Sequence, residues 1–192
     1  LRLCPLHRHL PRHRRHLRHR HHHRRRRHRR HHHHPRRLPR RRRVTNLSEQ
    51  DFIEKLSEIF ENGRWIAEGA YNLELGPSHN TAIGLHNALC RIFRSARYET
   101  RKKLVEAHSG GHQKPMIFEK LISEQNKDIA RTLDEQFSAK FGFKYTLSET
   151  DANNCDVLQN LRERLESDYM TEFAENCRQI EKIALEKISM LI

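Results

Sequence analysis

Between Phe173 and Leu191 the apolar side chains recur at three- and four-residue steps: Phe173, Cys177, Ile180, Ala184, Ile188 and Leu191. On a helix of about 3.6 residues per turn these positions form one stripe. A strand would send them to both faces, so the segment is confined to α-helix. Such a stripe is buried only when other helices pack against it.

The rest of 44–192 supplies those helices and shows almost no strand alternation. Ser48 followed by Asp51 is a start signal, and Ile53, Leu56, Ile59 and Phe60 mark the inner face. Asn62-Gly63 stops that helix, and Trp65 to Tyr71 reads as a short second one. Gly76-Pro77-Ser78 is a turn, with Ser78 the expected cap of a helix carrying Leu85, Leu89, Ile92 and Phe93. Tyr98 to His108 follows, with Leu104 and Val105 inward and Gly110-Gly111 ending it. After a loop from Gln113 to Met116, Ser123 opens a helix running through Ile129, Leu133 and Phe137 to Phe141. Thr146 to Asn154 reads as polar loop, and Val157, Leu158, Leu161 and Leu165 define one more helix. The expected fold class is all-α, a multi-helix bundle over 44–192 with antiparallel packing.

Charge divides the chain in the same place. The formal charge of +14 averages two unlike pieces. Residues 1–43 hold 19 of the 38 Lys and Arg, 13 of the 17 His and four of the six Pro, with no acidic residue. That leaves 19 basic against 24 acidic side chains in 44–192, an ordinary, slightly acidic domain. The segment 1–43 has little to bury and repels itself, so a disordered low-complexity tail is expected. Three readings of it are open. It attracts nucleic acid through phosphate neutralisation, although aromatics for base stacking are absent; its histidine runs take up metal adventitiously; or it is a bland extension, the favoured reading. Arg2-Leu3, five residues, then His9-Leu10 resembles an N-terminal peroxisomal targeting nonapeptide, which makes the expected location peroxisomal or cytoplasmic.

Cys4, Cys90, Cys155 and Cys177 form no C-x-x-C pair, so buried reduced thiols are expected rather than a disulfide framework or a zinc site. No apolar run reaches membrane-spanning length, and no secretory signal is expected. The chain begins with Leu rather than Met, which marks it as a fragment or an uncertain start. Gly-rich phosphate loops, H-E-x-x-H and G-x-S-x-G are all missing. His108 and His112 are separated by Gly110 and Gly111, so they do not make a two-histidine metal site on one helix face.

His108 itself has two readings. At a helix C-terminus its positive form is favoured by the dipole and its ring can cap carbonyls. Facing a cleft, the same imidazole is a general acid or base near neutral pH.

A resemblance adds to the second reading. Trp65-Ile66-Ala67-Glu68, Leu104-Val105-Glu106-Ala107-His108, Leu133 to Phe143, Arg162-Glu163-Arg164-Leu165 and Glu181-Lys182-Ile183-Ala184 follow one another in order. Together they resemble the 2-oxo-4-hydroxy-4-carboxy-5-ureidoimidazoline (OHCU) decarboxylase family over residues 48–192. Lys140-Phe141-Gly142-Phe143 is the most specific part. The resemblance implies an all-helical homodimer that decarboxylates the ureidoimidazoline, a step of urate breakdown, to (S)-allantoin. It implies no metal and no organic cofactor. It also implies that His108 is catalytic and that Arg164 holds the anionic substrate, with a surface ion pair to Glu163 or Glu166 as the plainer reading of that arginine.

The chain departs from the family at several points. Ser109 stands where the family has proline, Lys144 where it has proline after Phe-Gly-Phe, and Glu186 where it commonly has arginine. The interval from His108 to Phe141 is shorter than the family's. Ser123, Glu124 and Gln125 stand for its Ser-x-x-Glu-Gln segment with altered spacing, Glu124 as the displaced acid and Ser123 and Gln125 as substrate contacts. The plainer reading makes Glu124 a helix-start glutamate behind a Ser123 cap. The functional alternative is an inactive helical binding module with the same fold.

Overall fold

The computed structural model describes residues 43–108 and 122–192. The expectations for the tail (Arg43 apart), its targeting-like nonapeptide, Cys4, Ser109, Gly110-Gly111, His112 and the loop 113–116 lie outside the described residues.

Eight α-helices and no strand occur among the described residues: α1 (Glu49–Leu56), α2 (Arg64–Tyr71), α3 (Ala82–Ser95), α4 (Tyr98–Ala107), α5 (Lys127–Phe141), α6 (Glu149–Ala152), α7 (Val157–Leu165) and α8 (Tyr169–Leu191). The fold class is all-α. No helix among these residues is long and apolar enough to cross a membrane.

The Ser48 hydroxyl caps α1 by accepting the Asp51 N–H at 3.2 Å. Four other boundaries differ from expectation. The chain leaves α1 at Leu56, so Ile59 and Phe60 are buried from the following turn rather than from the helix. Thr81, not Ser78, caps α3, accepting the Gly84 N–H at 3.1 Å, because Ser78 is taken into a 3-10 turn over Pro77–Asn80. The Ser123 side chain caps nothing: a 3-10 turn, Glu124–Asn126, precedes α5. The stretch 146–154 contains α6, and its polar Thr146 and Ser148 are buried. Cys90 and Cys177 are buried as expected, whereas Cys155 is exposed.

Helix α8 is the spine, about 34 Å long at 1.5 Å per residue. It packs against α3 and α4, while α1 packs on α2, α2 on α3, and α5 on α7. Phe173, Cys177, Ile180, Ala184 and Ile188 are all buried on its inner face.

The end of α5 explains the Phe-Gly-Phe sequence. Gly142 takes the left-handed conformation, φ 77°, that closes a helix C-terminus. The chain then doubles back so that Phe141 and Phe143 stack at 5.8 Å. Phe143 also meets Phe137, Tyr169 and Phe173 within about 6 Å, joining α5 to the start of α8.

Candidate active site

Helix α4 ends because His108 turns to extended backbone, φ −70° and ψ 127°, while its N–H still bonds the Val105 carbonyl. The chain leaving α1 holds that end in place. Asn62 sits in the left-handed region at φ 58°, and its side-chain amide donates to the Ala107 carbonyl at 3.3 Å. Asparagine tolerates this region better than most residues. The neighbouring Glu61 carboxylate is 13% exposed and lies 3.7 Å from Lys187 Nζ of α8. Lys187 also donates to the Glu58 carbonyl at 3.3 Å. Three separate segments therefore meet around the end of α4.

His108 is only 2% exposed. Burial holds its pKa below the ordinary histidine value; the Glu61 charge acts to raise it and the Lys187 charge to lower it. This corrects the reading that the helix end favours the positive form, because desolvation of the ring outweighs the terminal dipole. The resident species is a neutral imidazole, with one ring nitrogen to donate and one to accept. Such a ring, with one carboxylate and one ammonium acting on it, is equipped to accept or donate a proton near neutral pH.

Ser123, Glu124 and Gln125 are exposed on the 3-10 turn ahead of α5. The Glu124 side chain is 85% exposed and pairs with Lys127 Nζ at 2.5 Å. Among the described residues, the charges acting on His108 are those of Glu61 and Lys187.

Arg164 is 7% exposed, which corrects the surface pairing with Glu163 or Glu166. Its Nε donates to Glu172 Oε1 at 2.9 Å, and Nη2 to the same oxygen. Nη2 also reaches Asn176 Oδ1 at 2.7 Å, and Nη1 the Thr146 carbonyl at 2.7 Å. The guanidinium lies 4.6 Å from the Tyr145 ring centre and 5.7 Å from that of Phe137. Asn176 in turn donates to the Lys144 carbonyl at 2.9 Å. This buried set ties the segment after Gly142 to α7 and α8. Lys187 lies about 16 Å further along α8 than Asn176 at the standard helical rise.

A family pattern described as OHCU decarboxylase matches residues 45–188. The chain belongs to the OHCU decarboxylase family. It is 25% identical over 158 residues to the uric acid degradation bifunctional protein of Bacillus sp. (strain TB-90), covering 76% of this chain and 31% of that protein. It is 27% identical over 160 residues to the uric acid degradation bifunctional protein PucL of Bacillus subtilis (strain 168), covering 78% and 32%. The chain thus spans about a third of the length of these two relatives. The OHCU decarboxylase of Haloferax volcanii is 23% identical over 155 residues, covering 74% of this chain and 90% of that protein. A crystal structure of (S)-allantoin synthase shares the fold, with a TM-score of 0.62 at 18% identity over 78% of this chain and 52% of the other.

Within the family's pattern the Glu186 departure has a local explanation. Its carboxylate accepts the Glu149 and Thr150 N–H groups at 3.2 and 2.8 Å, and the Thr150 hydroxyl at 2.8 Å. It adds from a distance to the cap that the Ser148 hydroxyl gives α6 by accepting the Asp151 N–H, a task an arginine at this position cannot perform because it has no acceptor. Sequence reasoning overlooked Glu61 and Lys187. The available signal was weak: Glu61 is an acidic side chain directly after buried Phe60 and ahead of the Asn62-Gly63 helix stop.

Proposed function

We propose that this chain decarboxylates OHCU to (S)-allantoin in urate breakdown at the His108 corner, using no metal or organic cofactor. The observation that supports the reading is the burial of His108, the residue the sequence resemblance implies is catalytic, with its pKa held down by that burial and the charges of Glu61 and Lys187 acting on it. The substrate bears a hydroxyl and a carboxylate on one ring carbon. When carbon dioxide leaves, the ring keeps the electron pair. A ring nitrogen takes up a proton as the pair moves into the ring, the hydroxyl then gives up its proton as the carbonyl forms, and the neighbouring ring carbon takes up a proton on one face. His108 engages the hydroxyl and carboxylate region and manages that proton. Lys187 supplies the cation that holds the anionic substrate, while Arg164, already bonded to Glu172, Asn176 and Thr146, anchors the framework.

The test follows the decay of freshly generated OHCU with wild type and with His108→Ala. Wild type is expected to exceed the spontaneous rate, and His108→Ala to lose at least a hundredfold of the enhancement, about the least that one general acid-base group contributes. Exposure of Glu124 favours the second reading, an inactive module with this fold; spontaneous decay in the presence of wild type selects it.

A further inference from the structure

We propose that Glu61 is the carboxylate partner of His108, a positioning residue that orients the imidazole and balances its charge, in place of the displaced acid at Glu124. The inference rests on the decarboxylase reading of His108 and adds a residue to it.

The geometry comes from the turn leaving α1. Asn62, the one non-glycine residue at positive φ among the described residues, turns the backbone sharply while its side chain clasps the last carbonyl of α4. Backbone held in a sparsely populated region persists where its surroundings fix it, and such positions gather at functional sites. Gly63 completes the turn: a Cβ there would lie 2.5 Å from Phe60 Cβ and 2.9 Å from the Phe60 carbonyl, so a side chain at 63 would push the turn off the core. Glu61 is thereby fixed one residue before the Asn62 amide that clasps the carbonyl of Ala107, the residue preceding His108. It is largely shielded from water and 3.7 Å from Lys187 Nζ. Lys187 is itself tethered to the Glu58 carbonyl, so the carboxylate and ammonium are both held by the same short turn.

This arrangement suits a histidine that must gain and lose a proton. A carboxylate beside the ring stabilises its charged form, and an ammonium opposes it. Among the described residues, the charges acting on His108 are those of Glu61 from the turn and Lys187 from α8. The two should therefore move its titration in opposite directions, a result that general loosening of the fold does not produce.

The experiment is an NMR titration of the His108 ring in the full chain, its signals assigned by their loss in His108→Asn. Glu61→Gln is expected to lower the midpoint by about one pH unit, and Lys187→Gln to raise it. Glu124→Gln is run beside them. An unchanged or raised midpoint in Glu61→Gln, or an equal or larger downward shift in Glu124→Gln, overturns the proposal. In the decarboxylation assay Glu61→Gln is expected to lower kcat about tenfold to a hundredfold with KM nearly unchanged, as loss of an orienting partner does. The titration needs no turnover. Failure of the decarboxylase reading is seen as an inactive wild type, and failure of the Glu61 proposal as an unmoved midpoint.

Discussion

His108 lies at a helix end, where its positive charge would be welcome, yet burial keeps the ring neutral. Its folded pKa is lowered, so below the unfolded value near 6.5 the unfolded chain binds the proton more readily. The corresponding stability is complete above about pH 6.5, is lost as pH falls below it, and levels off once the folded pKa is passed. Comparing urea midpoints of wild type and His108→Asn from about pH 7.5 to 5 isolates this term; wild type should lose more stability on acidification. Arg164 poses the opposite case, a buried charge with every strong partner in place. Burial raises the pKa of Glu172, and Arg164 opposes that shift. Arg164→Ala should cost about 3–5 kcal/mol in urea unfolding at neutral pH, because it strands the Glu172 carboxylate. Replacing both partners with apolar residues should recover much of the loss.

Among the elements, α5 is the clearest case of sequence dictating a boundary. Gly142 adopts φ 77°, and nothing lies within 4 Å of a Cβ built there. Gly142→Ala should therefore cost only the left-handed backbone penalty, about 1–2 kcal/mol, and Gly142→Asn less, as read by urea unfolding. The periodicity of α8, the Ser48 cap and the spans of α2 and α7 were legible for the same reason: each depends on residues within a turn or two. The early end of α1 was not, because Ile59 and Phe60 keep helical spacing while being buried from a turn. Nor was α6: Ser148 caps it locally by accepting the Asp151 N–H, as Ser48 does for α1, but the helix spans only Glu149–Ala152 and no apolar stripe follows the cap, while Glu186, 37 residues from Glu149, accepts two further N–H groups. The candidate site divides in the same way. The family resemblance pointed to His108, whereas Glu61 and Lys187, whose charges act on it, come from opposite ends of the domain's sequence and leave no local pattern.

At the scale of the molecule, the charge figures describe two different things. Residues 1–43 carry +19 of formal charge, while 44–192 carries −5 and holds the family match, which together give the net +14. The helical domain concentrates its structural charge in the Arg164 cluster at the N-terminal half of α8. Its candidate chemistry lies near Lys187 at the other end. The proposed activity requires the buried His108 to direct a proton to one face of the product. The measurement is circular dichroism of allantoin formed from fresh OHCU with wild type and with His108→Ala. The expected result is (S)-allantoin from wild type and slow racemic product from the variant. Racemic product at the spontaneous rate from both would contradict it.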